Sequence, residues 1–163
     1  MIGNDIIDLA LAKKESNWNR PRFLQKIFTD YEQSLILKAD NPEIMVWNLW
    51  SRKEAAYKIY NRETGIRAYI PLQLSCNYQD INSGEVHCNG TVYWTKTTIK
   101  NDKIHTIAVT NKEYFNQIID LSNRNLVLKN KGIPYLINPI TKEKNPVSIS
   151  HHGRFKAIIS LAL

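Results

Sequence analysis

The sequence predicts an α+β domain in which an antiparallel sheet packs against two or three helices, with an enlarged central β-meander. Helical patterns dominate the chain before Pro71, whereas short runs rich in Tyr, Val, Thr and Ile, separated by turn signals, follow it. A strand, then helices, then meandering strands is an order typical of this class. With 163 residues and 43% hydrophobic content, the chain suits a single domain over 1–163.

The first segments are predicted to be one strand and one helix. Residues 2–9 form an isoleucine-rich run with two aspartates near its end, which indicates a strand. Pro21 suits the first turn of a helix over residues 22–37. Thr29 resembles a new N-cap that could split this helix in two.

A second, longer helix is predicted to begin at Pro42 and to end near Asn61, before a loop at Gly65. At about 100° per residue, one of its faces is aromatic with a carboxylate in the middle. The members of this face are Trp47, Trp50, Glu54 and Tyr57. We expect the aromatic rings to anchor the helix against the sheet, and the opposite face to be solvated. That opposite face consists of Asn48, Arg52 and Ala55.

The remaining chain is predicted to be mainly strands. Four of them span residues 72–78, 84–88, 91–98 and 103–110. The expected hairpin turns are Asn89-Gly90 and Asn101-Asp102. Beyond them we expect a short helix over 115–121, a connector over 130–146, and closing strands over 147–150 and 155–163.

Charge and composition restrict the function classes. Lys+Arg number 22 against 15 Asp+Glu, giving a formal net charge of +7, which favours an anionic partner: nucleic acid, a phosphorylated molecule, an acidic protein or a membrane surface. No run approaches the roughly 20 apolar residues of a membrane span, and the start lacks a basic leader, so we expect a cytoplasmic protein. Cys76 and Cys88 lack metal-type spacing and are expected to be buried free thiols.

Glu54 is the residue that most needs explaining. Burying an unpaired charge costs several kcal/mol, so this carboxylate must meet water in a cleft, a cationic partner or a metal. The plain alternative is a solvated salt bridge with Lys58, contributing a few tenths of a kcal/mol. Asp5 and His151, each alone, are more often structural than functional. As a set, the four residues form a candidate site, because Mg²⁺ is usually held by two carboxylates plus substrate phosphates, and a lysine can contact a phosphate oxygen.

These residues resemble the 4′-phosphopantetheinyl transferases. Gly3-Asn4-Asp5 is similar to that family's Gly-x-Asp element, and the segment from Trp50 to Lys58 is similar to its aromatic-x-x-Lys-Glu-x-x-x-Lys helix. Near the carboxyl end, Ser150-His151 is similar to the family's Ser/Thr-His element. The order of these elements matches the short, holo-acyl-carrier-protein synthase branch. The stretch of about 75–130 has no counterpart in this resemblance and is expected to be a family-atypical insertion.

The resemblance implies transfer of the phosphopantetheine group of coenzyme A to a serine of an acyl or peptidyl carrier protein, with Mg²⁺. It implies that Asp5 and Glu54 hold the metal. Glu54 and Lys58 would be catalytic, the first accepting the serine proton directly or through a metal-bound water and the second stabilising charge on the pyrophosphate. The implied coenzyme A-binding residues are Lys58, Gly65, Ser150 and His151.

The resemblance also implies an acidic carrier protein as the partner, which a basic edge of the molecule would steer electrostatically. That edge consists of Lys13, Lys14, Arg22 and Lys26. By analogy with the short branch, we expect a homo-oligomer, a trimer, whose neighbour completes the coenzyme A pocket. The central insertion could instead supply that wall from the same chain.

Two alternatives stay open at this point. A basic module for single-stranded nucleic acid would explain the charge, with Tyr78, Tyr93 and Trp94 as stacking platforms, but not the acid-bearing helix. An inactive family member acting as an interaction domain ranks lower, because all four candidate site residues match the family pattern.

Overall fold

The computed structural model describes residues 1–122 and 127–162. The α-helices are α1 (Leu9–Glu15), α2 (Phe23–Ile27), α3 (Asp30–Lys38) and α4 (Pro42–Thr64). The first sheet contains β1 (Ile2–Asp8), β2 (Ser75–Tyr78), β3 (Ser83–Cys88), β4 (Thr91–Lys100) and β5 (Lys103–Val109). The second contains β6 (Ile118–Asp120), β7 (Leu128–Asn130), β8 (Ile133–Ile137), β9 (Lys144–His152) and β10 (Phe155–Leu161).

The predicted α+β class is confirmed, and the strands form two five-stranded antiparallel sheets. Their orders are β1-β5-β4-β3-β2 and β6-β10-β9-β8-β7. Strand β1 therefore reaches the first sheet by pairing with β5, far from it in sequence. Within the described residues, no helix has the length and apolarity needed to cross a bilayer.

The helix boundaries follow from their caps. Thr29 does split the predicted helix: its hydroxyl accepts the amide of Glu32, whose carboxylate accepts the amide of Thr29. The Asn41 side chain caps α4 by accepting the amide of Ile44. Helix α4 ends at Thr64, slightly later than predicted, where Gly65 adopts the left-handed conformation with φ of 73°.

The meander forms largely as the turn residues predict. Asn89 and Gly90 have φ of 49° and 81°, and Asn101 and Asp102 have 52° and 59°, as type I′ hairpin turns require. The segment predicted to be a strand over 72–78 begins instead with a 3₁₀ turn, Pro71–Gln73, and β2 follows it. Both cysteines are buried and free, as expected.

Two predictions for the carboxyl-terminal third were wrong. The helix expected over 115–121 is a 3₁₀ turn, Lys112–Gln117, followed by β6, because this apolar run pairs with the edge of β10. The connector expected over 130–146 contains β8, which pairs with β7 and β9. The closing strands are confirmed, although β9 begins earlier, at Lys144, and Leu163 of the last predicted strand lies outside the described residues.

The face of α4 that was expected to be solvated is buried, so this prediction was wrong. Asn48, Arg52 and Ala55 each have no exposed surface. Arg52 donates to the Asn48 side chain and to the carbonyls of Asp80 and Ser83, so its guanidinium is satisfied without water. A Cβ on Gly3 would overlap the Ala55 carbonyl oxygen, which shows how closely α4 approaches β1.

The aromatic face of α4 contacts α2 and the chain that follows the helix. Trp50 stacks on Phe23 of α2 with ring centroids 6.5 Å apart, and it meets Trp47 edge-on at 6.3 Å. Tyr57 meets Tyr69, in the chain that follows the helix, at 5.0 Å. Trp47 and Trp50 also line a cavity together with Asp5, Ile6 and Ile7 of β1, so this face of α4 lies between α2 and the first strand.

The second sheet contacts β1 through side chains. Alternate amides of β1 donate to alternate side chains of β9. The donors are the amides of Asn4, Ile6 and Asp8, and the acceptors, in the same order, are Ser148 Oγ, Ser150 Oγ and His152 Nδ1 at 2.8, 2.9 and 2.8 Å. Because both strands have a period of two, this arrangement fixes β9 against β1 along its length. It brings the Ser150-His151 segment next to the part of β1 that carries Asp5.

Candidate functional site

One cavity brings together three of the predicted site residues. Asp5 of β1, Glu54 of α4 and His151 of β9 line it, together with Trp47 and Trp50. The three elements meet because α4 packs on β1 and the side chains of β9 bind the amides of β1. Two carboxylates that are distant in the sequence therefore share one cavity.

Glu54 lies in this cavity with a perturbed acidity. Burial, and next the negative charge of Asp5, raise the pKa of Glu54 to about 7, while Lys58 acts in the opposite direction. The Tyr69 hydroxyl approaches the same carboxylate but, among the described residues, has no partner within hydrogen-bond distance. A carboxyl group with a pKa near neutrality can both accept and release a proton at physiological pH.

The two carboxylate oxygens of Asp5 have different surroundings. Its Oδ1 accepts the Ser150 hydroxyl at 3.1 Å and lies 3.4 Å from Lys58 Nζ. Its Oδ2 is buried and, in the part of the chain that the structure describes, has no hydrogen-bond partner. Burial raises the pKa of Asp5. An unsatisfied buried carboxylate oxygen is costly, so this atom marks a place for a cationic group.

Lys58 pairs with the strand and not with the neighbouring helical carboxylate. Its ammonium donates to the Asn4 carbonyl at 2.6 Å and contacts Asp5 Oδ1 and the Ile149 carbonyl, each at 3.4 Å. The solvated Glu54–Lys58 salt bridge that the sequence left open does not occur among the ion pairs of residues 1–122 and 127–162. Lys58 therefore joins β1, α4 and β9, and it contacts Asp5 without itself being among the described residues that line the cavity.

Of the residues expected to bind coenzyme A, only some lie at the cavity. Ser150 is buried. Its hydroxyl accepts the Ile6 amide and donates to Asp5, so it orients the Asp5 carboxylate, which is a candidate metal ligand. His151 is exposed at the cavity. Gly65 follows the last residue of α4 and is not among the described residues that line the cavity.

His152 also lines the cavity, and its contribution was left open by the sequence. Its Nδ1 accepts the Asp8 amide at 2.8 Å, so the ring carries its proton on Nε2 when neutral. The alternation Ser148, Ser150, His152 was the available signal, since three polar residues at a spacing of two lie on one face of a strand.

Lys53, in the same helical motif, forms a buried ion pair away from the cavity. Its Nζ lies 2.7 Å from Glu32 Oε2, and neither side chain is exposed. The lysine also donates to the Pro71 carbonyl at 2.8 Å, and Glu32 accepts the Cys76 amide at 2.6 Å. This buried pair ties α4 to α3 and to the start of the meander, and the sequence pattern gives no signal for it.

The predicted docking residues are all exposed, with Lys13 and Lys14 on α1 and Arg22 and Lys26 at α2. The platforms proposed for nucleic acid are less available. Tyr93 has only 1% of its surface exposed. Arg52 covers the Tyr78 ring at 5.2 Å from its centroid, and Lys112 covers the Trp94 ring at 3.9 Å. Tyr93 is therefore too buried to act as a stacking platform, and the partly exposed Tyr78 and Trp94 rings each have a cationic side chain over them.

The donor set suits a hard divalent cation. Within the described ranges no group of three or more His, Cys, Asp or Glu side chains could hold a metal by itself. Asp5 and Glu54 supply two carboxylates, and the free Oδ2 of Asp5 has no competing partner there. Mg²⁺ is bound in this way when substrate phosphates and water complete its shell. An α+β domain with such a pair beside a lysine has the groups that an enzyme acting on phosphate groups uses.

Comparison with known proteins specifies the class. A sequence model described as the 4′-phosphopantetheinyl transferase superfamily matches residues 1–114, and the chain belongs to this superfamily. It is 30% identical over 89 residues to the holo-[acyl-carrier-protein] synthase of Caldanaerobacter subterraneus subsp. tengcongensis, covering 55% of this chain and 68% of that protein. The resemblance seen in the sequence, to the superfamily and to its holo-acyl-carrier-protein synthase branch, is confirmed.

The fold is also shared with a solved structure. The apo-ACPS structure of Chronobacterium ammoiniagenes matches with a TM-score of 0.52 at 11% identity, covering 66% of this chain and 93% of that chain. The superfamily match includes strands β2 to β5. The expectation that about 75–130 is an atypical insertion within one domain over 1–163 stays a prediction.

Proposed function

We propose that this protein transfers the 4′-phosphopantetheine group from coenzyme A to a serine hydroxyl of an acyl or peptidyl carrier protein, in a Mg²⁺-dependent reaction. Membership of the superfamily supports the reaction class. The observation that carries the assignment of the site is the Asp5–Glu54 pair in one cavity, with a buried Asp5 oxygen that has no hydrogen-bond partner among the described residues.

Asp5 and Glu54 would hold the metal. Mg²⁺, when bound, supplies positive charge that neutralises the pyrophosphate. The chain prepares Asp5 for this role, since Ser150 and Lys58 both contact Oδ1, and Oδ2 has no hydrogen-bond partner among the described residues. Ser150 acts here as a positioning residue for the carboxylate, whereas family resemblance alone implied for it a contact with coenzyme A.

Glu54 would accept the proton of the attacking serine. In the metal-free protein, burial and the charge of Asp5 raise the pKa of Glu54 to about 7, so this carboxylate is more basic than an ordinary glutamate. The serine oxygen forms a bond to the phosphorus that bears the pantetheine arm, and the bond from that phosphorus to the bridging oxygen breaks. Adenosine 3′,5′-bisphosphate leaves with the electron pair of the broken bond.

Lys58 would contact the pyrophosphate as a point charge. Its ammonium is fixed by the Asn4 carbonyl and by Asp5, so the charge is positioned before substrate binds. The exposed His151 would contact the nucleotide end of coenzyme A from β9. Catalysis of this kind depends on positioning and charge neutralisation, because little covalent chemistry falls to the protein.

The carrier protein would dock on the basic edge of α1 and α2, where all four predicted residues are exposed. A homo-oligomer that completes the coenzyme A pocket, and a cytoplasmic location, stay predictions. Light scattering combined with an activity assay tests the first: a fully active monomer would reject a site shared between subunits.

Intact-mass spectrometry tests the proposed reaction. The protein is incubated with an apo acyl or peptidyl carrier protein, coenzyme A and Mg²⁺, and the carrier is expected to gain the mass of one phosphopantetheine. A carrier with its acceptor serine replaced by alanine, and a sample with chelator in place of Mg²⁺, serve as controls. Absence of the mass gain from both carrier classes at saturating coenzyme A would reject the proposal.

A further inference from the structure

Tyr69, in the chain that follows α4, has a buried hydroxyl that the proposed reaction does not yet use. Its ring meets the ring of Trp50 edge-on with centroids 5.9 Å apart, and it meets the ring of Tyr57 in the same way at 5.0 Å. These two contacts fix the ring. Its hydroxyl is buried and has no hydrogen-bond partner among the described residues. A buried hydroxyl without a partner is costly, so its position needs an explanation.

The two ring contacts place Tyr69 over Glu54. Trp50, Glu54 and Tyr57 are spaced four and three residues apart, so they lie on one face of α4, with Glu54 between the two aromatic residues. A ring that contacts both aromatic residues must cross the surface between them. The Tyr69 hydroxyl accordingly approaches the Glu54 carboxylate.

Glu54 has no ion-pair partner that could orient it instead. Lys58, one turn further along α4, contacts Asp5 and the backbone of β1. No ion pair in the described ranges, residues 1–122 and 127–162, includes Glu54. The group that can hold this carboxylate from the side of the aromatic rings is therefore the Tyr69 hydroxyl.

The other carboxylate of the cavity already shows such an arrangement. The Ser150 hydroxyl donates to Asp5 Oδ1 at 3.1 Å, and Asp5 Oδ2 has no hydrogen-bond partner in the part of the chain that the structure describes. One hydroxyl thus engages one oxygen of Asp5, and the second oxygen stays available for a cation. Tyr69 is placed to do the same for Glu54.

We propose that Tyr69 is a positioning residue for Glu54, whose hydroxyl donates to one carboxylate oxygen and leaves the other oxygen for the metal. This inference rests on the proposed function, in which Asp5 and Glu54 hold Mg²⁺. A group that hydrogen-bonds to a metal ligand fixes the orientation of that ligand and contributes to metal affinity. The unpaired hydroxyl is then a cost to stability that serves metal binding.

The competing account is that Tyr69 acts only through its ring, by packing the chain after α4 against Trp50 and Tyr57. The substitution Tyr69→Phe separates the two accounts, because it keeps the ring and removes only the hydroxyl. Packing alone predicts that Tyr69→Phe binds Mg²⁺ like the wild-type protein. Positioning of Glu54 predicts weaker Mg²⁺ binding without any loss of stability in the metal-free protein.

The experiment measures the dissociation constant of Mg²⁺ by calorimetry, first with the metal alone and then at saturating coenzyme A, always without carrier protein. Tyr60→Phe is the matched control, since Tyr60 lies on α4 and its hydroxyl accepts the side-chain amide of Asn89 at 3.1 Å. We expect Tyr69→Phe to raise the dissociation constant about 10- to 100-fold, the usual effect of losing such a partner of a metal ligand. Tyr60→Phe should keep the wild-type value.

Urea unfolding without divalent cations checks the second part of the prediction. Tyr69→Phe should be at least as stable as the wild-type protein, because the hydroxyl that it lacks has no partner to lose. In transfer assays, Tyr69→Phe should need more Mg²⁺ for half-maximal rate, and excess Mg²⁺ should restore most of kcat. A residue that only packs would change neither quantity.

An unchanged Mg²⁺ dissociation constant for Tyr69→Phe would overturn the inference, and so would an equal change in Tyr60→Phe. A wild-type protein that binds no Mg²⁺, alone or with coenzyme A, would overturn it as well. If the wild-type protein binds Mg²⁺ but transfers nothing to a carrier protein, the proposed function fails. The comparison of dissociation constants then still decides the role of Tyr69.

Discussion

Replacing Glu54 by Gln should change how the stability of the metal-free protein depends on pH. Burial and the charge of Asp5 raise the pKa of Glu54 from 4.5 to about 7 in the folded state. The folded protein therefore binds more protons than the unfolded chain between these values, and its stability must fall as pH rises from the lower value through the higher one. The loss arises because the ionised carboxylate is unfavourable in this cavity, whereas the protonated one is tolerated.

The magnitude follows from the same values. A tenfold change in proton affinity corresponds to about 1.4 kcal/mol, so the rise from 4.5 to about 7 corresponds to about 3 kcal/mol in all. About 2 kcal/mol of this should be lost between about pH 5.5 and about pH 8. The glutamine side chain is neutral throughout, so the Glu54→Gln variant should lack this component and be the more stable protein at the higher pH.

Urea unfolding at several pH values, without divalent cations, measures this effect. The informative quantity is the free energy of unfolding of Glu54→Gln minus that of the wild-type protein, because the other titrating groups cancel in the difference. Glu63→Gln is the control, since Glu63 is an exposed carboxylate of the same helix. A difference that stays constant from acidic to alkaline pH would refute the buried, charge-coupled state of Glu54.

Three further predictions concern the metal, the core and the docking edge. Mg²⁺ should raise the Tm of the wild-type protein more above pH 7 than below it, because Glu54 must be ionised to bind, and Asp5→Asn should abolish the rise in thermal scans. Lys53→Met should lower the free energy of unfolding in urea by about 3–5 kcal/mol, because it leaves Glu32 buried and unpaired, and adding Glu32→Gln should restore part of the loss. Reversing Lys13 and Lys14 to Glu should raise the KM for carrier protein more than the KM for coenzyme A, and an unchanged carrier KM would reject that docking edge.

Local sequence signals predicted the parts of the fold that depend on neighbouring residues. Thr29 and Glu32 satisfy each other's amides within one turn, so the helix boundary between them follows from local chemistry. The Asn89-Gly90 turn likewise needs only two residues that tolerate positive φ. Glu54 was identified because a carboxylate on an aromatic helix face conflicts with its surroundings.

The main errors concern partners that are distant in the sequence. Arg52 was predicted to be solvated, but it is buried because carbonyls of the β2–β3 turn accept hydrogen bonds from its guanidinium. Lys53 is buried only because Glu32, on another helix, neutralises it. The short run that became β6 pairs with β10, and no periodicity within the run itself indicates this partner. A sequence pattern identifies a polar group, but tertiary contacts decide whether it is solvated or buried.

The most direct test of the account is the rate of phosphopantetheine transfer by Glu54→Gln at saturating Mg²⁺ and coenzyme A, followed by intact mass of the carrier protein. Glu63→Gln, from the same helix, is the matched control. Loss of a positioned general base predicts a rate at least about 100-fold below wild type for Glu54→Gln, with Glu63→Gln close to wild type. Transfer by Glu54→Gln at a rate near that of the wild-type protein would contradict the assignment of the Asp5–Glu54 pair as the reaction centre.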